Sequence, residues 1–337
     1  MSSNPALSHV GERALIERIR ARAGAPPDWV ELGIGDDAAV LRPPRGGVEV
    51  LTTDSLVEGI HFRREWTSPR AIGHKAIAVN LSDLAAMGAE PRGVLLSLAL
   101  PSDLDLQWFD ALIDGFFTVA DRARAPLVGG NITGSPGPLV IGVTAVGAVH
   151  PRKVLTRGGG RPGHDLYLTG SIGAAAAGLG LRRAGLTDAD LNSAAADCVA
   201  RYEQPEARLQ CGIQVSRNRA ASACVDLSDG LADAARQLSA AGGTGVVLDA
   251  AAIPVHPGAA AWASSLNQDP LQFALSGGED YELLFAVPPR RRGGFLAVAR
   301  RGGGLAITRV GRLTTEPGCW LQAGGGREPL PEGFVHF

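Results

Sequence analysis

The stretch from Glu31 to Phe62, ELGIGDDAAVLRPPRGGVEVLTTDSLVEGIHF, places the strongest condition on any fold this chain adopts. Adjacent carboxylates, Asp36 and Asp37, stand in a loop opened by Gly33 and Gly35, and a β-rich run, Val48 to Thr53, delivers a third at Asp54. Carboxylates brought together at neutral pH repel one another, and their pKa values rise unless a cation intervenes. A hard divalent ion meets that condition, and Mg²⁺ commonly takes one or two carboxylates plus phosphate oxygens. The hydroxyls of Thr52 and Thr53 add oxygen donors beside Asp54. Each piece is also ordinary alone, since Asp bonds its own backbone in turns. What separates the two readings is that the rest of the chain repeats the theme.

With 337 residues the chain has room for two domains. A boundary near His150-Pro151 divides 1–150 from 151–337, where a basic, Gly-rich stretch begins. The 45% apolar and 20% charged residues suit a globular protein with a sizeable core. A net charge of −2 gives no broad attraction for nucleic acid or an anionic membrane. No apolar run approaches the roughly 18 residues of a membrane helix. Cys198, Cys211, Cys224 and Cys319 form no CxxC pair, which argues against a zinc site and a disulfide framework. The N-terminus lacks a signal-peptide hydrophobic region, so a cytoplasmic location is expected.

In chain order, residues 11–23 have helical apolar spacing and a Gly stop. His61 follows Asp54 by seven residues and is a better candidate than an isolated histidine, although a packed role is equally ordinary. Ser68-Pro69 starts a helix that runs to a Gly88 stop. It carries Asn80 and Asp83 on one face. Asp83 lies toward the C-terminal end, where the dipole disfavours a negative charge. Gly129-Gly130-Asn131 after a short strand lets backbone N–H groups face an anion. Arg157 before three glycines is able to clamp a phosphate, or to be a solvated basic loop. Asp226, Ser228 and Asp229 occupy a strand-to-helix junction, where helix N–H groups favour phosphate and Asp229 has the option of capping the helix. Gly277-Gly278 is expected to turn into an alternating strand with Glu279 and Asp280 at its mouth.

The usual nucleotide signatures are absent: no GxxxxGK[ST] loop, no GxGxxG opening a βαβ unit, and no protein-kinase HRD or DFG. An ATP site in this chain would have to be built from aspartates, several Mg²⁺ ions and glycine backbone.

Seven segments carry a resemblance: GIGDDAAVL (33–41), TTDSLVEGIHF (52–62), NLSDLAAMGAEP (80–91), VGGNIT (128–133), VLTRGGGRPG (154–163), DLSDGLADAA (226–235) and SGGEDYELLF (276–285). In this order they resemble the thiamine-monophosphate kinases, of an ATP-binding superfamily shared with aminoimidazole-ribotide synthetase, selenophosphate synthetase and a hydrogenase-maturation protein. The resemblance implies an α/β fold of two domains, the N-terminal sheet pairing across a homodimer and the active site in the cleft between domains. It implies γ-phosphoryl transfer from ATP to thiamine monophosphate, giving thiamine diphosphate. By motif position, Asp36, Thr52, Thr53, Asp54, Asp83 and Asp226 would hold Mg²⁺, with Asp37 adjacent to Asp36 and Asp229 near a further ion. Gly130, Asn131, Arg157 and Ser228 would contact ATP; His61, Glu279 and Phe334 would contact the thiamine phosphate. Asn131 departs from the Gly-Gly-Asp of many members and brings an uncharged oxygen to its ion. The alternatives are another ATP-dependent enzyme of the superfamily or a non-catalytic nucleotide-binding protein. Against the first, selenophosphate synthetase typically carries a Cys or selenocysteine near its N-terminus and the hydrogenase-maturation protein typically ends in a reactive Cys, whereas here the earliest cysteine is Cys198 and the last residue is Phe337; aminoimidazole-ribotide synthetase matches SGGEDYELLF poorly.

Overall fold

A computed structural model describes residues 7–35, 37–301 and 304–333, so Asp36 and Phe334 lie outside the described residues. The chain divides into two compact units, Met1–Leu84 with Glu90–Pro151, and Ala85–Ala89 with Arg152–Phe337. The mixed α/β architecture is the one expected from the sequence.

In the first unit, α1 (Leu7–Val10) and α2 (Glu12–Ala23) precede β1 (Val30–Leu32), β2 (Val40–Leu41) and β3 (Val48–Val57). Then follow α3 (Pro69–Met87), β4 (Glu90–Pro101), α4 (Leu106–Ala123), β5 (Leu127–Ser135) and β6 (Val140–Val149). The main sheet has the order β3-β6-β4-β5. β3 and β6 pair antiparallel without a bulge, from Val48 opposite Val149 to Val57 opposite Val140. β4 and β5 run parallel. One face buries Leu56, Leu96, Leu98 and Ile132; the other leaves Leu51 65% and Leu95 37% exposed.

The ends of α3 follow from local chemistry. The Ala71 N–H donates to Ser68 Oγ at 3.2 Å, Pro69 needs no N–H partner in the first turn, and Gly88 takes φ +66° just past the last turn. α4 is capped by Asp105, which accepts from the Trp108 N–H at 2.7 Å. The two helices approach at paired glycines: a Cβ on Gly73 would overlap the Leu112 carbonyl, and one on Gly115 the Arg70 carbonyl. That approach fixes the helix carrying Asp83.

The second unit contains β7 (Asp165–Thr169), α5 (Ala174–Arg183), α6 (Ser193–Glu203), α7 (Leu209–Arg217), β8 (Ala223–Asp226), α8 (Leu231–Gly242) and β9 (Gly245–Asp249). It continues through α9 (Pro257–Ser265), α10 (Pro270–Ser276), β10 (Leu283–Val287), α11 (Arg292–Arg301), β11 (Ile307–Thr314), β12 (Cys319–Ala323) and β13 (Gly326–Pro329). The sheet order is β13-β12-β9-β11-β7-β10-β8. Its core gathers Leu166, Val225, Leu238, Leu248, Leu284 and Leu321. The expected alternating strand after Gly277-Gly278 is corrected here. β10 starts only at Leu283 and all its residues are buried, because it runs between β7 and β8 with both faces covered.

Gly73→Ala is expected to lower stability by about 1–3 kcal/mol, the cost of overpacking a close helix crossing. Urea unfolding measures it; a midpoint equal to the parent's would mean the two helices part without cost.

Candidate functional site

The first unit brings together Thr52, Asp54 and Asp83. Thr52 and Asp54, two apart on β3, share a face. The Thr52 hydroxyl donates to Asp83 Oδ2 on α3. Burial, and then the neighbouring Asp83 carboxylate, push the Asp54 carboxyl up to about 6. A half-buried acid beside a second acid is the charge conflict a cation relieves. All three side chains offer oxygen, the donor a hard ion takes.

Alternation along β3 turns Thr53 to the opposite face, where its hydroxyl donates to the Val143 carbonyl at 3.1 Å and lies 3.0 Å from Thr144 Oγ1. Asn131 on β5 is exposed on that same open face, in register with Ser97. Gly130 has a structural reason of its own, since a Cβ there would overlap the Leu96 carbonyl. Asp37 is exposed. Asn80 is fully buried, its amide donating to the Ala76 carbonyl at 3.1 Å. His61 Nδ1 accepts from the Val57 N–H at 3.0 Å, which leaves the neutral ring's proton on Nε2. The His61 carbonyl accepts from the buried Lys75 ammonium at 3.2 Å. Among the described residues, no three of His, Cys, Asp or Glu converge into one metal-holding group.

In the second unit, Asp226 ends β8 and is buried, while Ser228 and Asp229 are half-buried in the turn to α8. Asp229 does not cap that helix; Gly230 does, at φ +97° and without a side-chain bond. The turn is stitched to the Gly277–Glu282 loop. The Glu279 N–H donates to the Ser228 carbonyl at 2.7 Å, the Tyr281 N–H to the Leu227 carbonyl at 3.0 Å, and the Leu227 N–H to the Glu282 carbonyl at 2.8 Å. Glu279 and Tyr281 hold φ +66° and +48°, a left-handed conformation that is costly for residues with a Cβ. Strain of this kind concentrates at functional sites.

Of the acids in Gly278-Glu279-Asp280-Tyr281-Glu282, two are structural. Asp280 does not stand at the strand mouth as expected. It accepts from the Gly173 and Ala175 N–H groups at 2.6 and 3.2 Å, holding the N-terminus of α5. Burial pushes it up to about 7 against the pull of those bonds. Glu282 is fully buried against Arg208 Nε at 2.8 Å and the Thr169 hydroxyl at 2.5 Å. Glu279 and Asp280 are both half-buried, and Glu279 keeps its left-handed backbone against the Ser228 turn. Arg157 is exposed in a short turn, Arg157–Gly159, where a Cβ on Gly159 would overlap the Ser222 carbonyl. Its glycines therefore serve packing and leave the guanidinium outward.

A Cys198–His256–Asp197 chain also lies in this unit, with Sγ 3.4 Å from Nδ1 and Nε2 2.8 Å from Oδ2. Cys198 is fully buried, and burial pushes its thiol up to about 12, so it is no nucleophile.

Residues 35–149 match the family model for the N-terminal domain of AIR synthase related protein, and 161–322 match its C-terminal domain. The thiamine-monophosphate kinase of Synechococcus elongatus is 36% identical, covering 99% of both chains. That of Escherichia coli K12 is 38% identical over 97% of this chain and 98% of its own. Among solved structures, the thiamine-monophosphate kinase of Stenotrophomonas maltophilia matches with a TM-score of 0.81 at 35% identity, over 93% of this chain and 96% of that one. AaThiL complexed with AMPPCP and TMP matches with a TM-score of 0.77 at 30% identity, over all of both chains. A hydrogenase maturation protein, HypE in complex with ATP, shares the fold at 22% identity with a TM-score of 0.79, over 96% of this chain and 95% of that one.

The left-handed backbone at position 279 predicts that Glu279→Gly is more stable than Glu279→Ala by about 1 kcal/mol. Chemical unfolding of the two variants measures the difference, and equal stabilities would mean that the loop stores no strain there.

Proposed function

Because this chain belongs to the thiamine-monophosphate kinase family, we infer that it transfers the γ-phosphoryl group of ATP to the phosphate of thiamine monophosphate, forming thiamine diphosphate. The observation that carries this is the end-to-end match to a relative complexed with an ATP analogue and TMP.

The acceptor phosphate is already anionic, so attack on the γ-phosphorus needs no general base, and the work is positioning and charge neutralisation. We assign Asp54, Asp83 and Thr52 of the first unit, and Asp226 and Asp229 of the second, to holding Mg²⁺. The oxygen-only donor set and the charge conflict at Asp54 support that assignment. Mg²⁺, when bound, neutralises phosphate charge and polarises the transferring group. Asp36 and Asp37 belong to the same reading by motif position. The outward Arg157 guanidinium suits bidentate phosphate contact. Gly130 and Ser228 line the nucleotide's path in this reading. The His61 Nε2–H is a donor for the thiamine phosphate, with Glu279 and Phe334 as its further contacts.

A homodimer is the assembly we favour. β3 pairs only with β6 among the described residues, and it carries Val48 and Leu51, 40% and 65% exposed. Thr53 and Asn131 stand on the outer strands of the sheet, three strand spacings or about 14 Å apart. One ion does not bridge them within a single chain, and a second copy over the open face supplies the missing partner. No helix among the described residues is long and apolar enough to cross a membrane, which is consistent with a cytoplasmic enzyme.

Incubation with thiamine monophosphate, ATP and Mg²⁺, followed by chromatography, is expected to yield thiamine diphosphate. Asp54→Asn is expected to cut kcat/KM by about 10²-fold or more, since even outer partners of a metal site are worth 10–100-fold. ATP binding without turnover would overturn the reading. Asn131→Asp, which restores a charge, is expected to lower the Mg²⁺ concentration at half-maximal rate; an unchanged Mg²⁺ profile would remove Asn131 from the ion's surroundings.

A further inference from the structure

The turn from Asp226 to Gly230 is held from two sides, and only one of them belongs to a motif legible in the sequence. On that side lies Gly278, where a Cβ would stand 2.6 Å from the Ser228 carbonyl oxygen and 3.5 Å from Asp229 Cα. On the other side lies Gly333 of the C-terminal tail. A Cβ there would stand 2.9 Å from the Asp229 carbonyl oxygen and 2.8 Å from Asp233 Cβ. Asp229 is thus enclosed by two backbone segments, each able to come so close because it is glycine.

The tail is anchored just upstream. Leu330 is buried in the core of the second unit, and its N–H donates to the Cys319 carbonyl at 3.0 Å. Its carbonyl accepts from Arg236 Nη2. Arg236 sits on α8, whose N-cap, Gly230, ends the same turn. From Leu330 to Gly333 the chain spans at most about 10 Å. The anchor at Arg236 and the contact at Asp229 are therefore mechanically coupled through α8 on one side and the tail on the other.

We propose that Arg236 and Gly333 are positioning residues for phosphoryl transfer: Arg236 ties the tail to α8, and Gly333 lets the tail close on the Asp229 backbone and hold that carboxylate in place. The proposal rests on the reading of Asp229 as a Mg²⁺-side residue. A side chain at 333 meets both Asp233 Cβ and the Asp229 carbonyl, so either the tail lifts or the start of α8 with the Asp229 peptide moves. Loss of the Arg236 donor frees the tail and leaves the Leu330 carbonyl without that bond.

The test is steady-state kinetics against Mg²⁺ concentration at saturating ATP and thiamine monophosphate, with thermal midpoints measured alongside. Gly333→Val and Arg236→Leu are expected to raise the half-saturating Mg²⁺ by about tenfold. Arg236→Lys, which keeps a cationic donor, is expected to recover most of that loss, and Gly333→Ala to fall between the parent and Gly333→Val. The Gly333 variants, which leave the Arg236 anchor intact, keep the test open if Arg236→Leu folds poorly. Asp229→Asn is the reference and is expected to shift the same parameter further. If Asp229→Asn shifts it while Gly333→Val and Arg236→Leu only lower kcat or the thermal midpoint, the positioning role is wrong. If Asp229→Asn leaves it unmoved, the reading of Asp229 fails first and the positioning role falls with it.

Discussion

Two carboxylates pressed together under one strand set the terms for the first unit. Asp54 is half-buried beside Asp83, the Thr52 hydroxyl donates to Asp83, and burial with the Asp83 charge raises the Asp54 carboxyl. Repulsion of this kind costs stability, and under the proposed Mg²⁺ reading a bound cation would recover it. The acids cannot drift apart to escape it. Asp83 rides on α3, and α3 is locked to α4 by two glycines that admit no Cβ. Asp54 rides on β3, paired without a bulge to β6. The rigid frame is what keeps the two carboxylates together.

The second unit solves a different problem, that of placing polar loops without burying unpaired groups. Asp280 stands beside the candidate Glu279 in the sequence, with Glu282 two residues on, and both Asp280 and Glu282 are spent on the scaffold. One holds the first N–H groups of α5, and the other pairs with Arg208 and Thr169 in the core. What remains on the surface of that loop is Glu279, held in a conformation its own side chain disfavours. The partners that hold Asp280 and Glu282, not their sequence, mark them as structural.

Much of this was legible because it is local. Ser68-Pro69 and Gly88 bound α3 through capping chemistry, Asp83 lies toward its C-terminal end and Asp226 ends β8 as the sequence suggests, whereas Asp54 falls inside β3, which runs on to Val57. The failures are all non-local. Sequence adjacency groups Thr53 with Thr52 and Asp54, while the pleat sends it to the other face. Asp280 reads as a strand-mouth acid because nothing nearby in the sequence announces that the N-terminus of α5 lies against it. β10 lost its expected alternation because the strands on both sides come from elsewhere in the chain. Gly333 carries no signal at all, since one glycine in a tail means nothing until its neighbour is known to be Asp229.

The unbroken pairing of β3 with β6 has a consequence for how this gene is able to vary. Because side chains alternate, the helix-facing side of β3 is decided by whether a residue number is odd or even. Inserting or deleting one residue ahead of Thr52 would leave the ladder hydrogen-bonded, yet bring Thr53 or Ser55 to the place of Asp54 and turn the acid outward. Two residues would restore the side. The charge at the centre of the first unit is thus stored as parity, and the β3 segment tolerates changes of length only in pairs.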